Sequence, residues 1–262
     1  MSQTQNIIVT GASRGLGRAM VELLINENTN VNVTAIARNG KALAELAATF
    51  NAEDRHRILT VEGDVTEQAS VDQAINQTLE KWGNIHGVIF NAGVLSPVGH
   101  LYDTEYDVEQ MKKLFDVNFF SVVNFTHALI KKLRIKPDCE RSEPLNVVFV
   151  SSSASVKAYD GWLAYCASKA SMNTLCMHLH SECFPSLKAV SVDPGIVDTG
   201  MQKDIRDKLG ENMTADAVSQ FQGFYEDKKL LDPLTVAKAY TKLALNIPQE
   251  LSGKYIVWDE AL

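Results

Sequence analysis

The chain has 262 residues, of which 45% are hydrophobic and 22% are charged. This composition excludes a disordered chain, and the length suits a single α/β domain spanning residues 1–262. The formal net charge of −7 disfavours nucleic acids and anionic membranes as main partners. No apolar run approaches the roughly 20 residues of a membrane span, and the histidines and cysteines form no metal-binding cluster. We therefore expect a cytoplasmic protein without a metal site.

Predicted strands and helices alternate along the chain. The strands are predicted at 6–10, 31–37, 58–63, 85–91, 145–151, 187–192 and 255–258. The helices are predicted at 16–25, 40–50, 66–83, 105–133, 160–183 and 233–245. Almost continuously apolar strands that alternate with helices predict a doubly wound parallel sheet of about seven strands with helices on both faces, which is a single-domain Rossmann fold.

Two segments interrupt this alternation. Residues 135–144 are polar and predict an exposed loop. Residues 198–228 are polar and only weakly helical, as expected of an insertion that covers a site. We therefore predict a substrate lid at about 198–228.

A glycine-rich turn joins the first predicted strand to the first predicted helix. Gly11, Gly15 and Gly17 have the spacing GxxxGxG. Glycine permits a tight turn and the close approach of a pyrophosphate, while the helix N-terminus offers free N–H groups and a positive dipole. Such a turn alone is weak support, but at the start of an alternating chain it predicts a dinucleotide site.

The end of the second predicted strand bears on which dinucleotide binds. Proteins that bind NAD usually carry an acid there that accepts a hydrogen bond from the ribose 2′-OH. Here the strand ends Ile36-Ala37-Arg38-Asn39, without an acid. Either arginine alone could be a surface charge, but Arg38 together with Arg14 of the glycine turn could clamp a 2′-phosphate. The pattern favours NADP(H).

Tyr165 and Lys169 are four residues apart on a predicted helix and therefore share one face. An ammonium beside a phenol favours the phenolate, so the sequence predicts a lowered pKa for Tyr165 and a role in proton transfer. An amphipathic helix with one buried tyrosine and one solvated lysine is the alternative interpretation. The tyrosine–lysine spacing alone does not decide between them.

Seven motifs in register resemble the short-chain dehydrogenase/reductase family of the classical type, over essentially the whole chain. They are TGASRGLG at 10–17, Asp64-Val65, Asn91-Ala92-Gly93, Asn118, Ser152, YCASK at 165–169 and Asp193-Pro194-Gly195. Each motif is weak alone, but the set in this order is specific. The resemblance implies a Rossmann-fold oxidoreductase that uses a nicotinamide cofactor.

The resemblance also implies catalytic roles for matching positions. Tyr165 would donate a proton to a carbonyl oxygen, which Ser152 would hold by a hydrogen bond. Lys169 would lower the pKa of Tyr165 and bind ribose hydroxyls, and Asn118 would anchor a water that relays protons to the lysine. Ser151 and Ser153 are the alternatives to Ser152, since only the spacing separates them.

The implied cofactor site draws on the glycine turn and on the ends of several strands. Within it, Asp64 would contact the adenine, Asn91 the ribose side and Thr199 the carboxamide. The cofactor-binding positions are Gly11, Ser13, Arg14, Gly15, Leu16, Gly17, Arg38, Asp64, Val65, Asn91, Ala92, Gly93, Tyr165, Lys169, Pro194, Gly195, Val197 and Thr199.

Within the family, GWxxYCASK and PGxxDTGMQ resemble sepiapterin reductases and benzil-type carbonyl reductases. Sepiapterin reductases carry an aspartate that anchors the pterin where this chain has Val257. The residues expected on the substrate side are apolar: Val94, Leu95, Trp162, Met201, Phe221, Phe224 and Tyr225. An uncharged aromatic or hydrophobic ketone or diketone would suit them.

Three functions follow as hypotheses. The first is NADPH-dependent reduction of a carbonyl, the second is reduction of sepiapterin, and the third is a non-catalytic NADP-binding sensor. A complete set of Ser152, Tyr165, Lys169 and Asn118 disfavours the sensor, because a binding protein has no use for a tuned phenol. The family resemblance further implies a homodimer or homotetramer.

Overall fold

A parallel sheet with helices on both faces forms the core of the protein. The computed structural model describes residues 4–137 and 143–262. The strands are β1 (Gln5–Thr10), β2 (Val31–Ala37), β3 (Ile58–Glu62), β4 (Gly87–Phe90), β5 (Leu145–Val150), β6 (Leu187–Asp193) and β7 (Tyr255–Val257). In the described part of the chain they form one seven-stranded sheet in the order β3-β2-β1-β4-β5-β6-β7, and all neighbouring pairs are parallel. The predicted fold class is confirmed.

Helices cover both faces of the sheet. They are α1 (Gly15–Asn26), α2 (Gly40–Ala48), α3 (Ala52–Arg55), α4 (Gln68–Trp82), α5 (Val108–Phe115), α6 (Ser121–Leu133), α7 (Leu163–Cys183), α8 (Gly200–Asp207), α9 (Ala215–Glu226) and α10 (Pro233–Leu245). Helices α1, α2 and α10 bury their apolar sides against Ile7 and Val9, while α4, α6 and α7 pack on the face that carries Ile8. This alternation follows from the period of two in a strand.

A third apolar cluster lies beyond the C-terminal ends of the strands. It joins Leu95 and Val98, from the loop after β4, to Tyr165 on α7 and to Ile205 and Phe221 on α8 and α9. Helices α8 and α9 both fall in the segment 198–228. No helix among residues 4–137 and 143–262 is long and apolar enough to span a membrane.

Two predicted helices differ from the observed ones. The helix predicted at 160–183 begins at Leu163, because Gly161 has a φ of +70° and Trp162 is also non-helical. The helical region predicted at 105–133 begins at Val108, where Asp107 accepts from the first free amides. That region contains a π-helical turn at Asp116–Phe120.

Other boundaries shift by one to three residues. The strand predicted at 85–91 is shorter, at Gly87–Phe90, and the short helix α3 was not predicted. Of the loop predicted at 135–144, residues 138–142 lie outside the described residues. The remainder of that segment is neither helix nor strand.

Candidate active site

A cavity of about 820 Å³ opens at the C-terminal edge of the sheet. The strand order reverses direction between β1 and β4, and ligands of doubly wound sheets bind at this switch point. The sequence-predicted residues that line the cavity are Gly11, Ser13, Arg14, Gly15, Leu16, Arg38, Asp64, Val65, Asn91, Ala92, Gly93, Ser152, Tyr165, Lys169, Pro194, Gly195, Val197 and Thr199. Of the predicted catalytic and cofactor-binding residues, Gly17 and Asn118 do not line it.

The glycine turn at the start of α1 is shaped to receive a pyrophosphate. Gly11 and Gly15 have φ angles of +65° and +54°, which side chains disfavour. Arg14 caps α1 without a side-chain hydrogen bond, and the first turn carries no acid. The free amides and the positive end of the helix dipole therefore fit an anionic ligand.

Gly17 has a packing role. A side chain there would collide with the carbonyl of Gly11 and with the Asn91 amide. Asn91 Nδ2 donates to the carbonyls of Thr10 and Gly11, at 2.9 and 3.1 Å. These contacts hold the end of β4 against the turn, and Gly17 makes room for them.

The outer end of the cavity carries charges of both signs. Arg38 is exposed, and its Nη1 lies 3.9 Å from Asp64 Oδ2. Lys41 and Glu62 line the same end and were missed in the sequence. Lys41 is the second residue of α2 and lies three positions after Arg38 in the sequence. This closeness to Arg38 was the signal that could have identified it. Arg14, Arg38 and Lys41 all belong to the cavity lining, as does the buried Lys169.

Tyr165 and Lys169 share the inner face of α7, as the four-residue spacing predicted. Their exposed fractions are 7% and 4%, so the lysine is buried and the alternative of a solvated lysine is wrong. Lys169 Nζ lies 5.5 Å from the centroid of the Tyr165 ring. It also donates a 2.6 Å hydrogen bond to the carbonyl oxygen of Val150.

The predicted fall in the pKa of Tyr165 is wrong for the protein alone. Burial raises the pKa of the Tyr165 phenol, and a hydrogen bond with Ser152 offsets the rise only in part. The same burial lowers the pKa of Lys169 to about 8, because the charged form of a buried amine is disfavoured. Proximity of the lysine was visible in the sequence, whereas the depth of burial was not.

Three consecutive serines follow β5, and they have different partners. Ser151 Oγ donates to Asn173 Oδ1 at 2.7 Å, and Ser153 Oγ lies 2.9 Å from Tyr159 Oη. Ser152 Oγ accepts from the amide of Ala154 and interacts with the phenol of Tyr165. This arrangement favours Ser152 among the three.

Asn118 lies in the π-helical turn and is fully buried. Its Oδ1 accepts from the amide of Val94 and its Nδ2 donates to the carbonyl of Val94, both at 2.8 Å. Nδ2 also approaches Ser168 Oγ at 3.2 Å. Asn118 thus anchors the segment after β4 beside α7, and π turns frequently occur at functional sites.

The family model described as short chain dehydrogenase matches residues 5–210. The chain belongs to the short-chain dehydrogenase/reductase family. Enzymes of this family use NAD(H) or NADP(H), and the glycine turn and the buried tyrosine–lysine pair fit that chemistry. The resemblance inferred from the motifs is confirmed.

Two relatives within the family and one solved structure are similar to this chain over nearly its whole length. The chain is 38% identical over 261 residues to the benzil reductase ((S)-benzoin forming) IRC24 of Saccharomyces cerevisiae, covering 97% of this chain and 95% of that protein. It is 27% identical over 259 residues to bovine sepiapterin reductase, covering 97% and 94%. The solved structure of YIR035C, a short chain dehydrogenase/reductase from Saccharomyces cerevisiae, has a TM-score of 0.89 at 37% identity and covers 97% of this chain and 96% of its own. The two predicted subgroups are thus both among the relatives.

An aromatic wall, formed by Tyr159, Trp162 and Phe221, borders the cavity. Trp162 stacks on Tyr159 and on Phe221, with centroids 5.1 and 5.2 Å apart. Its ring is nearly perpendicular to that of Tyr165, 5.7 Å away. Tyr159 was missed in the sequence because it lies in the loop before α7, where no periodicity marks it.

The residues expected on the substrate side divide into three groups. Val94, Trp162, Met201 and Phe221 line the cavity. Leu95 and Phe224 pack in the apolar cluster behind them. Tyr225 is 56% exposed and lies under the guanidinium of Arg206, so its assignment to the substrate side is wrong.

A polar link joins the loop after β4 to α9. His100 Nε2 lies 2.9 Å from Asp160 Oδ1, and Asp160 Oδ2 accepts from the amide of Thr214, the cap of α9, at 2.7 Å. The pKa of His100 is raised, chiefly by its hydrogen bond to Asp160, and the pKa of Asp160 is lowered, chiefly by the Thr214 amide. The charged forms of both groups therefore stabilise this link.

Proposed function

We propose that this protein is an NADPH-dependent carbonyl reductase whose substrate is a small hydrophobic or aromatic ketone or diketone. The observation that carries the proposal is the buried pair of Tyr165 and Lys169, which lines the same cavity as the glycine turn. A phenol and an amine buried together at a dinucleotide-type turn have a chemical use in proton transfer.

Each catalytic side chain has a distinct role in this proposal. NADPH, when bound, supplies the hydride to the carbonyl carbon. Ser152 donates a hydrogen bond to the carbonyl oxygen and stabilises its developing charge. Tyr165 gives its hydroxyl proton to that oxygen. Lys169 binds ribose hydroxyls and stabilises the resulting phenolate, and Asn118 positions the backbone beside the lysine.

NADP(H) is the proposed cofactor because of the charges at the outer end of the cavity. Arg14, Arg38 and Lys41 all line the cavity, and no acid follows β2 directly. Arg14 and Arg38 would pair with a 2′-phosphate through charge-assisted hydrogen bonds. Asp64 and Val65 would contact the adenine side, and Pro194, Gly195, Val197 and Thr199 the nicotinamide side.

An aromatic substrate is supported by the wall of Tyr159, Trp162 and Phe221. Aromatic rings prefer offset or edge-to-face contacts that such a wall can provide. Benzil reductase IRC24 carries a name that describes a diaryl diketone substrate. We propose the same substrate class for this chain, with helices α8 and α9 of the segment 198–228 acting as the lid.

Sepiapterin reduction is the second candidate, favoured by the similarity to the bovine enzyme. Val257, which stands where sepiapterin reductases carry the pterin-anchoring aspartate, disfavours it because a valine offers a pterin no polar partner. Val257 is 37% exposed and does not belong to the cavity lining. A non-catalytic sensor is the third candidate. The buried tyrosine–lysine pair disfavours it, because a protein that only binds the cofactor has no use for a phenol placed for proton transfer.

The deciding experiment compares substrates with the purified protein by following the loss of NADPH absorbance. We expect turnover of benzil, with a kcat/KM at least about tenfold above that for sepiapterin. The opposite ranking would establish the pterin function. NADPH binding without turnover on a broad panel of ketones, diketones and pterins would establish the sensor.

We further propose a cytoplasmic homodimer or homotetramer. Exposed apolar side chains on α5, on the π turn and on α7 support an interface there: Val108, Phe120, Leu163 and Met177. Light scattering should give two or four times the 28.9 kDa of one chain. A monomeric mass would contradict the assembly and leave the reductase proposal intact.

A further inference from the structure

A second pair of serine and tyrosine hydroxyls lies in the cavity lining. Ser153 Oγ and Tyr159 Oη are 2.9 Å apart, and both residues line the cavity. Among residues 4–137 and 143–262, neither hydroxyl has another hydrogen-bond partner. The proposed reduction uses Ser152 and Tyr165 and gives this second pair no role. It is therefore a polar feature of the aromatic wall that the mechanism leaves unused.

The hydrogen bond within this pair leaves one donor free. A serine hydroxyl and a tyrosine hydroxyl each carry one hydrogen, and each can also accept. Whichever of the two donates in the 2.9 Å contact, the hydrogen of the other is not used by it. Because both residues line the cavity, that hydrogen is available to an oxygen of a bound ligand.

The second pair lies beside the first. Ser153 follows Ser152 directly, and consecutive Cα atoms are about 3.8 Å apart. Ser152 caps a short 3₁₀ turn that begins at Ser153, and both serines belong to the cavity lining. Tyr159 and Tyr165 contact the same indole, that of Trp162, with ring centroids 5.1 and 5.7 Å from it. Two neighbouring serine–tyrosine pairs thus border one cavity.

We propose that Ser153 and Tyr159 form a subsite for a second substrate oxygen, next to the carbonyl that is reduced. The reacting carbonyl takes the hydrogen bonds of Ser152 and Tyr165. A carbonyl oxygen on the adjacent carbon accepts the free hydrogen of the Ser153–Tyr159 pair. The subsite therefore selects a vicinal diketone over a ketone with a single oxygen. Its role in turnover rests on the proposed carbonyl reduction.

The apolar surroundings explain why a second oxygen needs a partner of its own. A carbonyl oxygen that enters the cavity loses hydrogen bonds to water, and an acceptor left unpaired there costs free energy. Val94, Met201 and Phe221 line the same cavity and carry no hydrogen-bond donor on their side chains. A donor from the Ser153–Tyr159 pair offsets that cost for a diketone, whereas a monoketone has no second oxygen to benefit.

The test removes one hydroxyl and keeps the ring. Tyr159→Phe retains the stacking on Trp162. Benzil and deoxybenzoin are the matched compounds, because deoxybenzoin has a CH₂ group in place of one carbonyl of benzil. Their different intrinsic reactivity is the same for every variant, so it cancels in the comparison. Tyr225→Phe is the control, since it makes the same chemical change at a residue that is 56% exposed and outside the cavity lining.

The first readout is kcat/KM with NADPH. Tyr159→Phe should lower kcat/KM for benzil by about three- to tenfold, as expected for the loss of one neutral hydrogen bond, and change that for deoxybenzoin by less than about twofold. Tyr225→Phe should change neither value. Equal losses for the two compounds in Tyr159→Phe would show a structural role and overturn the subsite, as would an unchanged value for benzil.

The second readout is calorimetric binding of the two compounds to the protein saturated with NADP⁺, which needs no turnover. Tyr159→Phe should raise the Kd of benzil by about three- to tenfold and leave that of deoxybenzoin nearly unchanged. If the unaltered protein reduces neither compound but shows this difference in binding, the reductase function fails and the subsite stands. An unaltered protein that binds no benzil, or a Kd for benzil that Tyr159→Phe does not change, contradicts the subsite even if carbonyl reduction is observed.

Discussion

The amine of Lys169 donates a 2.6 Å hydrogen bond to the carbonyl oxygen of Val150, which connects α7 to the end of β5. The bond holds the lysine amine 5.5 Å from the centroid of the Tyr165 ring, and both side chains are buried. It also explains how a charged amine is tolerated inside the protein, since a carbonyl dipole replaces part of its hydration.

This burial predicts a specific dependence of stability on pH. The pKa of Lys169 falls from 10.5 to about 8 on folding, so between these values the unfolded chain binds the proton more tightly. The contribution of Lys169 should therefore make the free energy of unfolding rise with pH between about 8 and 10.5, by about 1 kcal/mol per pH unit. Denaturant titrations of the protein and of Lys169→Met measure it; parallel pH curves for the two proteins would contradict the buried amine.

Arg38 should determine the choice of cofactor. Its guanidinium is exposed and its contact with Asp64, at 3.9 Å, is a weak surface pair, so its loss should hardly alter stability. Arg38→Asp should raise the Kd for NADPH by about ten- to hundredfold and change that for NADH far less. Arg18→Asp, on the same end of the molecule but paired with Glu22 outside the cavity, is the control. Equal losses for both cofactors would contradict the phosphate clamp.

The contact between His100 and Asp160 should make the order of α9 depend on pH. Because the pKa of His100 is raised, its charged form stabilises the link below about pH 6.5, and this stabilisation is lost as the pH rises through the pKa of the folded state. Because the pKa of Asp160 is lowered, its carboxylate stabilises the link above about pH 3.8, and this stabilisation is lost as the pH falls through the pKa of the folded state. The protection of the α9 amides, taken relative to their intrinsic exchange rate at each pH, should therefore be greatest between these limits. His100 faces Asp160, Asp103 and the ring of Tyr102.

Two variants test that link. Asp160→Asn should abolish the pH dependence of amide protection in α9, because it removes the charge that pairs with the imidazolium. His178→Ala, which alters an exposed histidine on α7, should leave that dependence intact. Protection in α9 that does not change with pH in the unaltered protein would show that the link does not control this segment.

The sheet and most of the cavity could be predicted from the sequence because they depend on local patterns. Apolar strands followed by helices identify a doubly wound sheet, and Gly11 and Gly15 have the positive φ angles that a tight turn needs. The tyrosine–lysine spacing likewise places Tyr165 and Lys169 on one helix face. Each of these features is set within a few residues.

The features that were missed depend on contacts between distant segments. The pKa of Tyr165 is raised chiefly by burial, with a smaller contribution from Asp193, which is 28 positions further along the sequence. Tyr159 joins the cavity through stacking on Trp162, and the His100–Asp160 contact spans 60 positions. Periodicity and motifs carry no information on such distances, so these features needed the structure.

The central claim is that the hydroxyl of Tyr165 donates the proton in carbonyl reduction. Its most direct test is Tyr165→Phe, which removes one oxygen from a buried ring that otherwise keeps its packing against Trp162. We predict that kcat for benzil falls by about 10²- to 10⁴-fold while the Kd for NADPH is almost unchanged. A variant that retains most of its kcat would contradict the account.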